Sequence, residues 1–250
     1  MSSGYKSPAE VQAMFGRIAQ RYDLMNRVMT MGRDLHWRRL MVRELGLPTG
    51  ATVLDIASGT GDIAFEVRRQ YSDATVIAGD FALPMMQVGQ RRPAGKSVAW
   101  LGADALNLAL PEAHFDAVVS GYLFRNVPDI ERALAEQFRI LKPGGRLATL
   151  DSTPPPPGPL RPFILVHLKF AIPLLGRIIS PDPDAYAYLP ASTLRFKTPE
   201  DLAQLMYGAG FVNVRYQRLM FGTMAVHWAT RPKPNALLRP ARLGFSGMPR

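Results

Sequence analysis

The run Val53-Leu54-Asp55-Ile56-Ala57-Ser58-Gly59-Thr60-Gly61-Asp62 sets a carboxylate at the end of a β-rich segment and follows it with a turn of small residues. Glycines at 59 and 61 let the backbone turn sharply and approach a ligand closely. A helix starting near Asp62 aims its first N–H groups into the same space. The spacing Gly59-x-Gly61-x-x-Ala64 also fits the dinucleotide fingerprint, in which a pyrophosphate sits on the helix N-terminus. Asp55 favours another ligand: a carboxylate before the glycines repels a pyrophosphate and suits an ammonium, such as that of the methionine moiety of S-adenosylmethionine (SAM).

Other polar residues fall where such a site needs them. Asp80 follows the second β-rich run and is placed to accept hydrogen bonds from both hydroxyls of an adenosine ribose, a role that SAM and NAD share. Asp104, after the third run, can accept from the exocyclic amine of adenine. The bland alternative for both is a turn or helix cap. The fourth run ends in Ser120-Gly121-Tyr122-Leu123-Phe124-Arg125-Asn126, and open α/β sheets bind ligands at the carboxyl ends of their strands. Arg125 and Asn126 should therefore face the substrate, where a guanidinium holds an oxyanion and an amide fixes a hydroxyl; the alternative is a surface arginine and a capping asparagine. Asp151, expected just past the fifth strand, is either a base on the same rim or a turn cap. Tyr22-Asp23-Leu24-Met25-Asn26 gathers a phenol, an acid and an amide within about one helical turn, which suits a lid over the cofactor or simple packing. His36, His114, His167 and His227 lie far apart with no ligand spacing, so no metal is expected, and no hydrolase motif is present.

The elements that must position these groups alternate. Apolar residues at Val11, Met14, Phe15, Ile18 and Ala19 recur at helical spacing, and residues 8–45 read as a helical cap. Strands are predicted at Thr52–Ile56, Thr75–Ala78, Val98–Gly102, Phe115–Ser120 and Arg146–Leu150, with helices between them: a parallel, doubly wound sheet over residues 51–152. A helix from about Asp129 to Leu141 should stop at Lys142-Pro143-Gly144-Gly145. The proline run from Thr153 to Pro159 must leave the sheet extended and opens an insert over residues 153–197. Within it, Phe163 to Ile179 is strongly apolar. His167, Lys169, Pro173 and Arg177 interrupt it and argue against a membrane span, leaving a core or lid helix pair that can offer a lipid a greasy channel. Thr198-Pro199-Glu200-Asp201 starts a further helix. Closing strands near Val212–Arg218 and Thr223–Ala229 would form an antiparallel hairpin at the sheet edge, an ending that by fold-level resemblance alone favours a SAM-type methyltransferase over a dinucleotide fold.

Composition bounds the rest. A chain of 250 residues, 47% hydrophobic, can bury one large core, so residues 1–230 are expected to form a single domain. With no cysteine there is no disulfide, thiolate metal site or cysteine nucleophile, which fits a cytoplasmic protein, and no signal peptide is visible. The formal charge of +10 concentrates anions. Much of it lies in the N-terminal arginines and in residues 231–250, a basic tail rich in Pro and Gly that is expected to be disordered. No nucleic-acid-binding module is recognisable, so the expectation is a solvated basic surface or attraction to anionic lipid.

Across most of its length the chain resembles the ubiquinone and menaquinone biosynthesis C-methyltransferase family. The resemblance rests on FGRIAQRYDLMN at 15–26, Trp37-Arg38, LDIASGTGD, Arg125-Asn126-Val127, LKPGGRL from Leu141, and Ala209-Gly210-Phe211, in the family's order. The glycine run and the Lys-Pro-Gly-Gly turn are common to many SAM methyltransferases; the Tyr-to-Asn N-terminal motif together with Arg-Asn-Val is far more specific.

The resemblance implies a class I, Rossmann-like, SAM-dependent methyltransferase that methylates the ring of a prenylated quinol. Thr60, Asp80, Asp104 and Ala105 match cofactor positions, joined by Asp55, Ser58, Gly59, Gly61 and Gly121 from the motif. Tyr22, Arg125 and Asn126 match substrate positions. The family usually has Gly at 58, Ser at 121, Gly-Leu at 123–124 and Glu at 151, and its Ser-x-Arg element is shifted around Ser192 to Phe196, which leaves Arg195 without a role. The prenyl tail would lie along Phe163 to Ile179, with peripheral contact to an anionic membrane face and a possible homodimer. Two alternatives stay open: the same chemistry on another small molecule or lipid, and a SAM- or lipid-binding regulatory protein.

Overall fold

The computed structural model describes residues 7–172, 174 and 183–234. Three helices come first: α1 (Pro8–Ile18), α2 (Tyr22–Met29) and α3 (Arg33–Arg43). Ser7 opens α1 with a capping box: its hydroxyl accepts from Glu10 N–H, and Glu10 accepts from Ser7 N–H at 2.7 Å. The cap is thus segmented. It bends through a short 3-10 turn at Ala19–Arg21 and turns again at Gly32, whose φ is +73°.

The alternating segment folds as β1 (Thr52–Ile56), α4 (Asp62–Gln70), β2 (Thr75–Asp80), α5 (Leu83–Arg91), β3 (Ala99–Gly102), β4 (Phe115–Gly121), α6 (Ile130–Ile140) and β5 (Leu141–Ser152). After the insert come α9 (Pro199–Gly208), β6 (Val212–Leu219) and β7 (Met224–Thr230), the insert itself contributing α7 (Arg161–Val166) and α8 (Pro183–Arg195). The seven strands order as β3-β2-β1-β4-β5-β7-β6. The first five are parallel, and β7 runs antiparallel between β5 and β6. The closing hairpin is therefore present, with β7 inside the sheet and β6 at its edge.

Alternate β1 residues face opposite layers, which is why the strand reads as a continuous apolar run. Val53 packs with Trp37, Met41, Ile63 and Val67 from α3 and α4, while Leu54 and Ile56 pack with Leu134, Ile140, Leu202 and Met206 from α6 and α9.

Two boundaries differ from expectation. The Lys-Pro-Gly-Gly turn lies inside β5, at a register break between the pairs Phe115–Leu141 and Ala117–Arg146, with Gly144 at φ +84°. Asp151 is not past the fifth strand but within it, opposite Ala225, because pairing with β7 carries β5 on to Ser152.

The proline run leaves the sheet in irregular, extended form and leads into α7, which passes into a π-helical turn at His167–Ala171. Phe163, Val166 and Phe170 are 74%, 58% and 69% exposed, so this segment covers a cavity rather than filling a core. The remainder of the expected apolar pair, at 173 and 175–179, and the basic tail from 235 on lie outside the described residues. Among the described residues, no helix is long and apolar enough to cross a membrane.

Candidate active site

Two cavities meet at the carboxyl ends of β1, β2 and β4. Gly59, Asp80, Asp104, Ala105, Gly121, Tyr22 and Asn126 line the first, with Phe81 and Met85. The second is apolar, about 400 Å³, and is bounded by Met29, Phe163, Leu168 and Phe221, with Arg125 and Thr193 as polar wall groups.

The glycine turn is built by backbone geometry. Gly59 and Gly61 adopt φ +56° and +86°, and Gly61 N–H donates to Ser58 O at 2.8 Å. A Cβ on Gly61 would lie 2.8 Å from the Trp100 ring and 2.9 Å from the Phe65 ring. Asp80 fixes the turn from β2: its Oδ2 accepts Gly59 N–H and its Oδ1 accepts Ala82 N–H, both at 2.7 Å. Burial raises its pKa against these two donors. Asp104 is exposed at the rim and accepts Leu106 N–H at 2.9 Å.

Asp55, Ser58, Thr60 and Gly61 lie behind this wall rather than on it. Asp55 is fully buried, and its Oδ2 accepts Ala64 N–H at 2.9 Å, tying β1 to the first turn of α4. Burial raises its pKa well above the usual carboxylate range. Its Oδ1 and the Ser58 hydroxyl are buried without a protein partner, so two polar atoms beneath the turn await a ligand's donors or ordered water. Together with the Asp80 carboxylate at the cavity wall, this donor set fits SAM. At Gly121, a Cβ would come within 2.8 Å of Ile63 Cδ1, so a serine here requires that side chain to move.

The cap closes over the turn through an ion-pair network that sequence reading missed. Thr60 donates to Asp23 Oδ1 at 2.6 Å, and Arg92 reaches Asp23 at 3.2 Å, Thr60 O at 3.1 Å and Asp62 at 2.7 Å. Arg27 pairs with Asp62 at 2.7 Å and with the buried Asp34, which also takes Arg38. Burial alone would raise the pKa of Asp62; Arg38, Arg27 and Arg92 outweigh it and hold the group at about 2. Trp37-Arg38 and Tyr22-Asp23 are motif residues, whereas Arg92 carried no local signal, because its partners are assembled by the fold.

At the second cavity, Arg125 is 9% exposed. Its Nε lies 3.3 Å from Asp151 Oδ1, its own N–H donates to Asp151 Oδ2 at 3.2 Å, and its Nη1 donates to Ser192 at 3.5 Å. Burial raises the pKa of Asp151 to about 6, with Arg125 opposing. Asn126 faces the first cavity, not the second: its Nδ2 donates to Tyr122 O at 2.6 Å and its Oδ1 accepts from Tyr188 at 3.1 Å. Tyr22 is half-buried against Phe15, and burial raises its pKa. Arg195 lines a separate polar cleft with Lys197 and Glu131. Sequence reading also missed Tyr188, and it met Ser192 only as part of the shifted Ser-x-Arg element; both lie on α8.

A seven-stranded sheet in this order, with a glycine turn after β1 and an acid ending β2, defines a SAM-dependent methyltransferase. Solved structures share the fold: a SAM-dependent methyltransferase of Thermotoga maritima, described as a possible histamine N-methyltransferase, has TM-score 0.62 and 23% identity, covering 88% of this chain and 99% of that one. A Haemonchus contortus phosphoethanolamine N-methyltransferase 2 in complex with SAM has TM-score 0.60 and 15% identity, covering 79% and 53%.

The pattern of the ubiE/COQ5 methyltransferase family matches residues 3–231, and the chain belongs to that family. A ubiquinone/menaquinone biosynthesis C-methyltransferase of Desulfotalea psychrophila is 48% identical over 88% of this chain and 90% of its own length. A demethylmenaquinone methyltransferase of Thermus thermophilus is 44% identical over 88% and 100%.

Proposed function

We propose that this enzyme methylates a ring carbon of a prenylated quinol, demethylmenaquinol or a ubiquinone precursor, while resting on an anionic membrane face. The observation that carries the reading is the apolar cavity that has, among the described residues, one buried cation in its wall: Arg125, beside the donor cavity, with Asp151 behind it. The names of the relatives, each over most of its length, support the quinone assignment.

When bound, SAM supplies an electrophilic methyl group whose bonding pair stays with sulfur. The acceptor ring supplies the new carbon–carbon pair and loses one proton as it regains aromaticity. A quinol does this best as its phenolate, and a guanidinium in a water-poor cavity stabilises that oxyanion. Gly59, Asp80, Asp104, Ala105 and Gly121 would line the cofactor, Asp55 and Ser58 would offer their unpartnered oxygens from beneath the turn, and Thr60 and Gly61 would shape it; Arg125 would meet the oxyanion, and Asn126 and Tyr22 would hold the walls between the two ligands. Alignment of the two ligands supplies a large part of the rate.

The membrane reading rests on exposed apolar groups around the cavity mouth: Met31, Leu160, Phe163 and Phe221 are 73%, 53%, 74% and 71% exposed and line it. Basic residues are exposed close by in the chain: Arg33 two residues after Met31, Arg161 next to Leu160 and on the helix of Phe163, and Lys169 in the π-helical turn that follows. A prenyl tail entering from a bilayer would meet this rim first, and the basic residues suit anionic headgroups.

Arg125→Ala tests the division of labour. Methyl transfer from labelled SAM to the quinol should fall about a hundred- to a thousandfold, while calorimetry finds SAM affinity within about threefold of wild type. Parallel loss of both would contradict it.

A further inference from the structure

We infer that Tyr122 positions the acceptor ring against the methyl donor, its aromatic face forming the wall where the two cavities meet. The inference rests on the proposed quinol methylation and adds to it a residue with no assigned part. Among the described residues, Tyr122 is the one that lines both cavities.

Its backbone is held where side chains rarely sit, at φ +59°, the left-handed region that glycine occupies freely. Two contacts fix it there. Its N–H donates to Leu150 O at 2.7 Å, extending the β4–β5 ladder, and its C=O accepts from Asn126 Nδ2 at 2.6 Å. Tyr188 in turn orients the Asn126 amide through Oδ1 at 3.1 Å. Asn126 and Tyr188 thereby become positioning residues for the Tyr122 ring.

The ring has one partner that ties it to the chemistry. The guanidinium of Arg125 lies over the ring, 4.9 Å from its centroid, so the cation covers one aromatic face and is held against it. A planar acceptor resting against the rest of the ring where the two cavities meet would have its oxyanion beside Arg125 and its ring carbon toward the donor cavity. A large side chain kept on a backbone that glycine would adopt without strain is the observation a positioning role explains.

The test compares Tyr122→Phe, Tyr122→Gly and Tyr122→Asn with wild type, measuring kcat and KM for a prenylated quinol, SAM affinity by calorimetry, and thermal melting. Gly and Asn both tolerate the left-handed backbone, so either one reports if the other fails to fold. Expected are a kcat within threefold of wild type for the Phe variant and a loss of about a hundredfold for Gly and Asn, with SAM affinity within threefold; a 1 Å misplacement costs on that order. The inference is overturned if Gly or Asn keeps kcat within threefold, if SAM affinity falls in parallel with kcat, or if neither variant folds, since the side chain would then serve the fold. Wild type inactive on any prenylated quinol would instead overturn the proposed function.

Discussion

Arg125 and Asp151 form a buried ion pair that also closes a loop: the Asp151 carboxylate faces Arg125 Nε at 3.3 Å and accepts the backbone N–H of Arg125 at 3.2 Å. One carboxylate thus fixes both the position and the charge balance of the guanidinium that faces the acceptor.

Because Asp151 titrates near pH 6, the pair loses its anion as pH falls through that value. Wild-type kcat should drop below about pH 6. Asp151→Asn should lower kcat roughly tenfold at pH 8, the scale of one lost charged hydrogen bond, and abolish the acid limb. The sign for stability is opposite. The folded value is raised, so the buried charge costs stability above about pH 6, and that cost disappears as pH falls from 6 toward 4. A pH–rate profile with an unchanged acid limb in Asp151→Asn would show that another group titrates.

Asp23 couples the cap to the cofactor turn through Thr60 and Arg92. Asp23→Ala should weaken SAM binding about tenfold by calorimetry, equivalent to ~1.4 kcal/mol, with the KM for the quinol unchanged. Equal losses in both would mean that the cap serves the whole site rather than the turn.

Gly61→Ala places a Cβ against two aromatic rings at φ +86°. A loss of roughly 2–4 kcal/mol in denaturant unfolding is expected, from the unfavourable φ and overpacking combined. A variant as stable as wild type would show that Trp100 and Phe65 yield freely.

Phe163 and Phe170 project from the insert. Replacing both with Asp should cut co-sedimentation with anionic vesicles at least tenfold, since each buried ring contributes ~1.5–3 kcal/mol, while turnover of a short-chain quinol in detergent stays unchanged. Unaltered vesicle binding would place the contact elsewhere.

The sheet was legible because its strands are apolar runs bounded by turn residues, and Thr198, Pro199 and the acids at 200 and 201 announced their helix by an N-cap, a first-turn proline and first-turn charge, to which the structure adds a reciprocal capping box between Thr198 and Asp201. The cofactor turn was legible for the same local reason: glycine spacing is a backbone requirement. What pairs with what was not. Asp55 read as an ammonium partner, yet its Oδ2 holds Ala64 N–H, a contact nine residues along the chain that only the folded turn creates. Asn126 read as a substrate group, but the 3-10 turn Phe124–Asn126 sends it to the donor side and leaves Arg125 on the acceptor side. Asp151 and Arg125 are adjacent only because β4 and β5 pair, and Arg92 reaches Asp23 across 69 positions of chain.

The central claim is methylation at a ring carbon. Purified enzyme, SAM and reduced demethylmenaquinone or a ubiquinone precursor, analysed by liquid chromatography with tandem mass spectrometry, should give a product heavier by one CH2, with the new methyl in the ring fragment, and S-adenosylhomocysteine in equal amount. Methyl found on a ring oxygen, or SAM bound with no methylated quinol formed, would contradict the account.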